Sequence, residues 1–289
     1  MMTFSFPTAP VEPLSRAEKR LVRRFLGDDV LVQQHLGWQH ALSWLGAQPF
    51  LGYFEHGELQ GMLACPPDED GITWLRLFSC REEPRILSIW QPLWSAADAW
   101  LGKYTRVEAV NALLIKDWLQ HPLESSGFQP GTRVVVLSAE ISRSLPDRNH
   151  SPVEIRRMRG DDFQRVYEID RAAFDRIWRH SLSQLHRAHR AAASATVAEL
   201  EGMIVGYQIS TASTQGGHLA RLAVDPAYQQ RGIGSALVVD VLKRFQRQGV
   251  IEVTVNTQED NPASLALYRR LGFQRGKETY PVYQYRLNR

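Results

Sequence analysis

The sequence contains few of the features on which several protein classes depend. It has only two cysteines, Cys65 and Cys80, in 289 residues, so neither a disulfide framework nor a zinc site is indicated. We expect both to be reduced thiols in or near a core. No stretch approaches the ~20 apolar residues of a membrane span, and the first residues lack the basic and apolar regions of a signal peptide. These absences predict a cytoplasmic protein with no membrane partner.

Charge and ligand spacing exclude further classes. The formal net charge is +3, which is too small to indicate nucleic-acid binding. No group of His, Cys and Asp has metal-ligand spacing, so no metal is expected. Apolar residues make up 44% and charged residues 22%, as in globular proteins with a sizeable core, and the length suits two domains. The sequence does not indicate an oligomeric state.

The most informative segment is a glycine-containing loop between an apolar strand (His218–Val224) and an apolar helix. It reads Gln229-Gln230-Arg231-Gly232-Ile233-Gly234-Ser235. The first turn of a helix has unpaired N–H groups and a partial positive charge, so it attracts anions. We expect Gly232 and Gly234 to let phosphate oxygens approach the backbone. The spacing matches neither G-x-G-x-x-G nor G-K-[ST], which removes the dinucleotide and P-loop interpretations.

Two motifs in order carry a resemblance to a known family. The loop, after a strand that reads Leu-Ala-Val-Asp-Pro, resembles motif A of the Gcn5-related N-acetyltransferases. About thirty residues later, the segment from Asn261 to Phe273 resembles the family's motif B, N-x-x-(A/S)-x-x-L-Y-x-x-x-G-F. The resemblance implies a mixed α/β fold and direct acyl transfer from acetyl-coenzyme A, the acyl-donor cosubstrate, to an amine in a ternary complex.

The resemblance also implies roles for individual residues. The loop residues Gln229, Gln230, Arg231, Gly232, Ile233, Gly234 and Ser235 would hold the pyrophosphate. Backbone groups of Leu222 and Val224 would pair with the pantetheine arm, and the Leu222 N–H would polarise the thioester carbonyl. Tyr268 would donate a proton to the departing thiolate, since a phenol has a higher pKa than a thiol. Asn261 would bind the coenzyme arm, fix the loop or cap the next helix.

The general base is less clearly marked. Ribosomal-protein N-terminal acetyltransferases have a Glu on the strand before motif B, but this chain has Asn256 there, which cannot accept the proton. His218 is the candidate, because we expect it on the same strand face as Ala220 and Leu222 and because histidine titrates near neutrality. A chain of water molecules to bulk solvent, with His218 a solvated strand residue, is the alternative.

The acceptor is predicted to be a small amine or a peptide N-terminus. Residues 171–190 occupy the place where the family builds its acceptor wall, and they hold five arginines, Arg171, Arg176, Arg179, Arg187 and Arg190. Arginine suits carboxylates and phosphates, so an anionic acceptor is one interpretation. A solvated helix face is the other.

The chain also repeats itself at a spacing of 145 residues. Gly57 and Gly61 recur as Gly202 and Gly206, and Gly127-Phe128-Gln129 recurs as Gly272-Phe273-Gln274. The repeat predicts two tandem acyl-CoA N-acyltransferase-like domains in an α/β (α+β, mixed-sheet) fold. We place a degenerate domain in residues 1–140, a linker in 141–152 and the catalytic domain in 153–289.

The first half lacks the chemistry of the second. Its counterpart of the loop reads Pro84-Arg85-Ile86-Leu87-Ser88-Ile89, with bulky residues in place of both glycines, and Leu123 replaces Tyr268. We therefore predict one active site per chain, in the second half. The alternatives are a non-catalytic acyl-CoA binder and a tandem synthase that resembles mycothiol synthase.

Overall fold

A computed structural model describes residues 10–36, 40–67, 71–103, 107–141, 152–214 and 216–287. Their contacts divide the chain into two compact units. Unit 1 comprises Met1–Gly131 with Tyr280–Arg289, and unit 2 comprises Thr132–Thr279. No helix in the described ranges is long and apolar enough to cross a membrane.

Unit 1 consists of short strands around one long apolar helix. Its strands are β1 (Val11–Pro13), β2 (Leu31–Gln34), β3 (Phe50–Glu55), β4 (Glu58–Ala64), β5 (Ile72–Trp74), β6 (Leu77–Cys80), β7 (Ala109–Leu113) and the start of β8 (Gln129–Glu140). Its helices are α1 (Lys19–Gly27), α2 (Ile86–Leu101) and α3 (Gln120–Ser125). The buried face of α2, with Trp90, Leu93 and Trp94, forms the centre of its main core. Both cysteines are buried free thiols, as predicted.

Strand β2 has an unusual place in unit 1. The sheet order is β1-β3-β4-β6-β2, so β2 covers the edge of β6 that β4 leaves open. The pairing is antiparallel, with Leu31 opposite Cys80 and Gln34 opposite Leu77. The buried Gln33 side chain also donates to the Leu113 carbonyl (2.8 Å) at the end of β7. Its Oε1 accepts from the backbone N–H of Lys116 (3.0 Å). β2 therefore bridges β6 and the end of β7.

Unit 2 contains the predicted mixed sheet. After residues 132–140 of β8 come β9 (Glu154–Arg157), α4 (Phe163–Ala173), α5 (Leu182–Ala191), β10 (Ser194–Leu200), β11 (Met203–Ser213), β12 (Gly216–Val224), α6 (Ile233–Arg247), β13 (Glu252–Gln258), α7 (Pro262–Arg270) and β14 (Gln274–Arg286). The strand order is β8-β13-β12-β11-β10-β9. Only the pair of β12 and β13 is parallel among these neighbours. A core of aliphatic residues with Phe245, Tyr268 and Phe273 packs between this sheet and the helices α6 and α7.

Backbone geometry explains the repeated glycines. The β3–β4 turn has positive φ at His56 (50°) and Gly57 (81°), and the β10–β11 turn has the same pattern at Glu201 (49°) and Gly202 (79°). Two successive positive φ angles are typical of a type I′ hairpin turn. Gly127 and Gly272 follow α3 and α7 with φ of 87° and 89°, as expected for residues that end helices. The two copies of the fold are therefore built alike.

The two compact units do not follow the linear halves of the chain. Residues 132–140 of β8 belong to unit 2, where they pair with β13. The end of β14 belongs to unit 1, where Val282–Arg286 pairs with β7. Each copy thus supplies its last strand partly to the other unit. The division into 1–140 and 153–289 stays a prediction, and most of the linker, residues 142–151, lies outside the described residues.

Candidate active site

The open edge of β12 is the first component of the site. β12 pairs with β13 only from Gly217 to Leu219, after which the two parallel strands separate. The Asp225 N–H donates to the Val205 carbonyl (2.9 Å) on the β11 side. Because backbone groups alternate along a strand, the N–H groups of Leu222 and Val224 point to the opposite edge, where β13 has moved away. A ligand can pair there as an added strand.

A β-bulge in β12 changes which side chains share a face. The register with β11 shifts so that Ser210 lies opposite Leu219 and Ile209 opposite Arg221, which leaves Ala220 as the extra residue. Leu219 and Leu222 both pack toward α6, while Arg221 reaches Asp170 in α4. The expectation that His218 shares one face with Leu222 is therefore wrong.

The glycine loop gives its two glycines separate tasks. Gly232 has φ of 77° and precedes α6, and a Cβ at this position would have no heavy atom within 4 Å. The backbone here needs glycine for its left-handed conformation and lies open. A Cβ on Gly234 would instead meet Leu267 of α7 at 3.3 Å. Gly234 therefore permits close packing of α7, which the expectation of phosphate access at both glycines did not include.

Side chains around the loop brace it and add positive charge. Gln229 donates to the Val224 carbonyl (3.1 Å), so its amide shapes the loop. The Arg231 guanidinium lies over the Tyr228 ring, 5.3 Å from its centroid. Arg270 of α7 donates to Ser235 in the first turn of α6 (3.2 Å). Arg270 adds a cation next to unpaired N–H groups, and it was not selected from the sequence because motif B leaves its position free.

Tyr268 lies in the core between α7 and the sheet. It is 4% exposed, packs with Phe273 at 5.5 Å between ring centroids, and belongs to the same cluster as Leu219 and Val255. Burial raises its pKa well above the ordinary value of a tyrosine, so the phenol stays protonated. Within the described ranges, no protein group hydrogen-bonds its hydroxyl, which leaves that proton available to a ligand.

Asn261 and His218 each have a defined partner. The Asn261 side chain accepts from the backbone N–H of Ser264 (3.0 Å). Asn261 therefore caps α7, which is one of the roles expected for it. His218 Nδ1 lies 2.9 Å from Thr254 Oγ1 on β13, one position before the last pair of residues that joins the two strands. Burial lowers the pKa of His218 below its ordinary value, which favours the neutral form that can accept a proton.

Residues 171–190, which we call the arginine-rich segment, lie in several different environments. A 3₁₀ turn (Arg176–Trp178) follows α4, and Arg179 Nε donates to the Phe174 carbonyl (3.0 Å). In α5, His186 stacks on Phe163 with ring centroids 3.9 Å apart. Arg187 Nε is buried without a hydrogen-bond partner among the described groups. A buried donor of this kind is rare in proteins and can be satisfied by an anionic ligand.

A buried ion pair next to this segment was not expected from the sequence. Asp170 is 0% exposed and accepts two hydrogen bonds from Arg221, each 2.8 Å long. The two residues are 51 positions apart, so no local pattern connects them. A separate cavity of about 500 Å³, at the C-terminal end of α6, is lined by Arg157, His189, Arg244 and Arg247 and by none of the predicted site residues.

Comparison with known proteins agrees with this geometry. The sequence pattern of the acetyltransferase (GNAT) family matches residues 163–273. N-alpha-acetyltransferase RimI of Mycobacterium tuberculosis is 56% identical over 54 residues, which are 19% of this chain and 32% of the relative. N-alpha-acetyltransferase MAK3 of Arabidopsis thaliana is 43% identical over 67 residues, which are 23% of this chain and 35% of the relative. The chain thus spans about a third of the length of these curated relatives.

A solved structure extends the likeness of fold to both units. The tandem GNAT protein from the clavulanic acid biosynthesis pathway is similar with a TM-score of 0.68 at 14% identity. The similarity covers 96% of this chain and 98% of that one. The predicted mixed α/β fold with two tandem acyltransferase-like domains is thereby confirmed. The match to the GNAT family pattern thus lies within unit 2, in residues 163–273, and the likeness of fold covers both units.

Proposed function

We propose that unit 2 is an N-acetyltransferase that moves an acetyl group from acetyl-CoA directly to a primary amine. One observation carries the proposal: the open edge of β12 lies directly before the glycine loop and the first turn of α6. The edge offers the N–H groups of Leu222 and Val224, and the loop offers unpaired N–H groups beside Arg270. This order suits a ligand with an amide-containing arm and a phosphate group.

The coenzyme would be held mainly by backbone groups. Its pyrophosphate would lie on the N–H groups around Gly232, where a Cβ has open space. Its pantetheine amides would pair with Leu222 and Val224 as an additional strand. The Leu222 N–H would then polarise the thioester carbonyl, a contribution of a few kcal/mol for a donor aimed at developing charge.

The chemical step would use two side chains. The amine nitrogen attacks the thioester carbonyl carbon, so a C–N bond forms as the C–S bond breaks. The ammonium proton passes to His218, whose lowered pKa keeps the imidazole neutral near pH 7. The thiolate takes its proton from Tyr268, whose raised pKa keeps the phenol protonated. The products are the acetylated amine and the free thiol of coenzyme A.

The side on which His218 lies supports its role as the base. Leu219 and Val255 pack toward α6, so the neighbouring His218 and Thr254 face the side of the sheet that carries α4. The arginine-rich segment follows α4 on that side. An amine bound against that segment would therefore approach the thioester from the face of His218.

The acceptor we favour is the α-amine of a peptide or a small amino compound. Both curated relatives are named as N-alpha-acetyltransferases. The five arginines of residues 171–190 support an acceptor with a carboxylate or another anionic group, because arginine pairs with such groups.

Incubation of the full chain with acetyl-CoA and an amine panel tests the proposal. The panel should contain peptides with free and with blocked N-termini, amino acids and uncharged amines. We expect release of free thiol and a product heavier by one acetyl group with some of these amines. Tight binding of acetyl-CoA with no thiol release for any amine would favour the non-catalytic binder, and absence of binding would reject the site.

The tyrosine offers a second test with a matched control. Tyr268→Phe should lower kcat strongly while the Kd of acetyl-CoA changes little, because only the hydroxyl is removed. Tyr283→Phe is the control, since Tyr283 is equally buried at 4% exposure but lies in unit 1, where it donates to Glu124 (2.8 Å). Equal kcat values for the two variants would remove Tyr268 from the mechanism.

A further inference from the structure

A buried polar cluster lies beside the proposed acceptor side of unit 2. The Asp170 carboxylate is fully buried at the end of α4 and accepts from Arg221 through both Nε and a terminal nitrogen. It also accepts from the Tyr207 hydroxyl and from the backbone N–H of His180 (2.9 Å). Burial and the neighbouring Asp170 raise the pKa of Tyr207 well above its ordinary value, so it remains a donor. The buried charge is thus fully compensated.

The same cluster holds the segment that follows α4. We call residues 174–181 the acceptor segment. The Arg221 guanidinium lies over the Phe174 ring, 3.5 Å from its centroid, and donates to the Trp178 carbonyl (2.7 Å). The His180 N–H is bound by Asp170. Three points of the segment are therefore attached to two side chains.

Arg221 connects this segment to the strand edge that we assign to the thioester. It immediately precedes Leu222 and immediately follows Ala220, the extra residue of the bulge. The bulge turns the Arg221 side chain toward α4 while the Leu222 side chain points toward α6. Arg221 thus lies between the acceptor segment and the residue proposed to polarise the thioester, with its side chain on the side of the acceptor segment.

Unit 1 shows where the equivalent segment lies when the cluster is missing. At the spacing of 145 residues, Arg221 corresponds to Arg76, but Asp170 corresponds to Phe25 and Tyr207 to Met62. The counterpart of residues 176–179 is β2, which pairs along the edge of β6. In unit 2 the same stretch forms a 3₁₀ turn and the edge of β12 stays open.

We propose that Asp170, Arg221 and Tyr207 are positioning residues that hold the acceptor segment beside the open edge of β12 and thereby set the affinity for the amine. The inference deepens the proposed function and rests on it. The side-chain contacts of Asp170 and Arg221 run to α4, Tyr207 and the acceptor segment, on the side of the sheet opposite α6, so we expect their removal to affect the acceptor more than the coenzyme.

Kinetics of Arg221→Lys and Tyr207→Phe test this proposal. Arg221→Lys keeps the positive charge but cannot make the two parallel hydrogen bonds to Asp170, and Tyr207→Phe removes one hydroxyl donor. We expect the KM for the amine to rise about tenfold in Arg221→Lys and less in Tyr207→Phe, with the Kd of acetyl-CoA within about twofold of wild type. Amide hydrogen exchange in residues 174–181 should accelerate in both variants.

A second arginine in unit 2 with two hydrogen bonds to one carboxylate supplies the matched control. Arg156 donates to both Asp162 oxygens (2.8 and 3.0 Å) and to Glu199 (2.7 Å), at the start of α4 and away from the acceptor segment. Arg156→Lys should lower thermal stability without changing the KM for the amine. An Arg221→Lys variant that behaves like Arg156→Lys, with unchanged KM and unchanged exchange in residues 174–181, would overturn the proposal.

The exchange measurement separates this inference from the proposed function. If the wild-type chain acetylates no amine, the proposed function fails while the attachment of the acceptor segment is still tested by exchange. If the wild type is active and the variants keep both its KM and its exchange rates, only the positioning role fails.

Discussion

Replacement of Gly232 by alanine isolates the conformational requirement of the loop. Gly232 has φ of 77°, and an added Cβ would meet no heavy atom within 4 Å. The substitution therefore introduces no clash, and its whole effect comes from the left-handed backbone, which disfavours a non-glycine residue by ~1–2 kcal/mol. If the loop relaxes in the free protein, coenzyme binding must restore the strained conformation.

The same energy then appears in the binding constant. With ~1.4 kcal/mol per tenfold change, we expect the Kd of acetyl-CoA to rise about 5- to 30-fold in Gly232→Ala. Isothermal titration calorimetry with acetyl-CoA measures this directly, and a urea titration of the free protein measures the part of the strain that the loop does not relieve.

Gly202 provides a control with the same local properties. Its φ is 79°, an added Cβ would also meet nothing within 4 Å, and it lies in the β10–β11 turn of the same unit. Gly202→Ala should lower the free energy of unfolding by a similar amount without changing the Kd. Equal Kd values in the two variants would refute the assignment of residues 229–235 as the coenzyme site.

Three further predictions concern charge, packing and pH. Arg270→Gln should weaken acetyl-CoA binding about 1.5- to 5-fold, as expected for an exposed cation worth ~0.2–1 kcal/mol, whereas the neighbouring Arg269→Gln should not; calorimetry at low salt distinguishes them. Gly206→Ala places a Cβ 3.0 Å from the Ala223 carbonyl oxygen, so it should lower the free energy of unfolding by ~1–3 kcal/mol in a urea titration. Gly160→Ala is the control, because its Cβ would meet nothing within 4 Å and the free energy of unfolding should not fall. Because the folded pKa of His218 lies below its ordinary value of 6.5, the unfolded chain binds the proton first, so stability falls as the pH drops below about 6.5. His218→Asn should flatten that part of the stability curve, and an unchanged curve would contradict the lowered pKa.

Local signals in the sequence predicted much of the fold. Gly57 and Gly202, at the spacing of the repeat, mark the two hairpin turns in the sequence, because these turns need a positive φ that few other residues adopt. Apolar periodicity located α6, and the motif around Asn261 located α7 and its cap. The start of β14 at Gln274 is not marked in the sequence, because residues 274–279 are mostly polar and carry no strand signal.

Features that depend on distant contacts were not predictable in this way. No residue near Ala220 marks an interruption of β12 in the sequence, so the bulge is apparent only from the pairing of this strand with β11. The ion pair of Asp170 and Arg221 joins residues 51 positions apart. Residues 31–34 have no signal that distinguishes them from the equivalent turn in unit 2, because their strand conformation comes from the edge of β6.

The position of β2 has a consequence for the first copy of the fold. Strand β2 acts as a ligand that is covalently tethered to its own binding site, so it is present at an effective concentration of order millimolar or higher. A free acyl-CoA would have to displace this strand before it could pair with β6. Glycines reintroduced at positions 87 and 89 would therefore rebuild a loop without reopening the edge. In unit 1 the strand that covers the edge of β6 is part of the same chain, whereas the stability of unit 2 would depend on the concentration of acetyl-CoA.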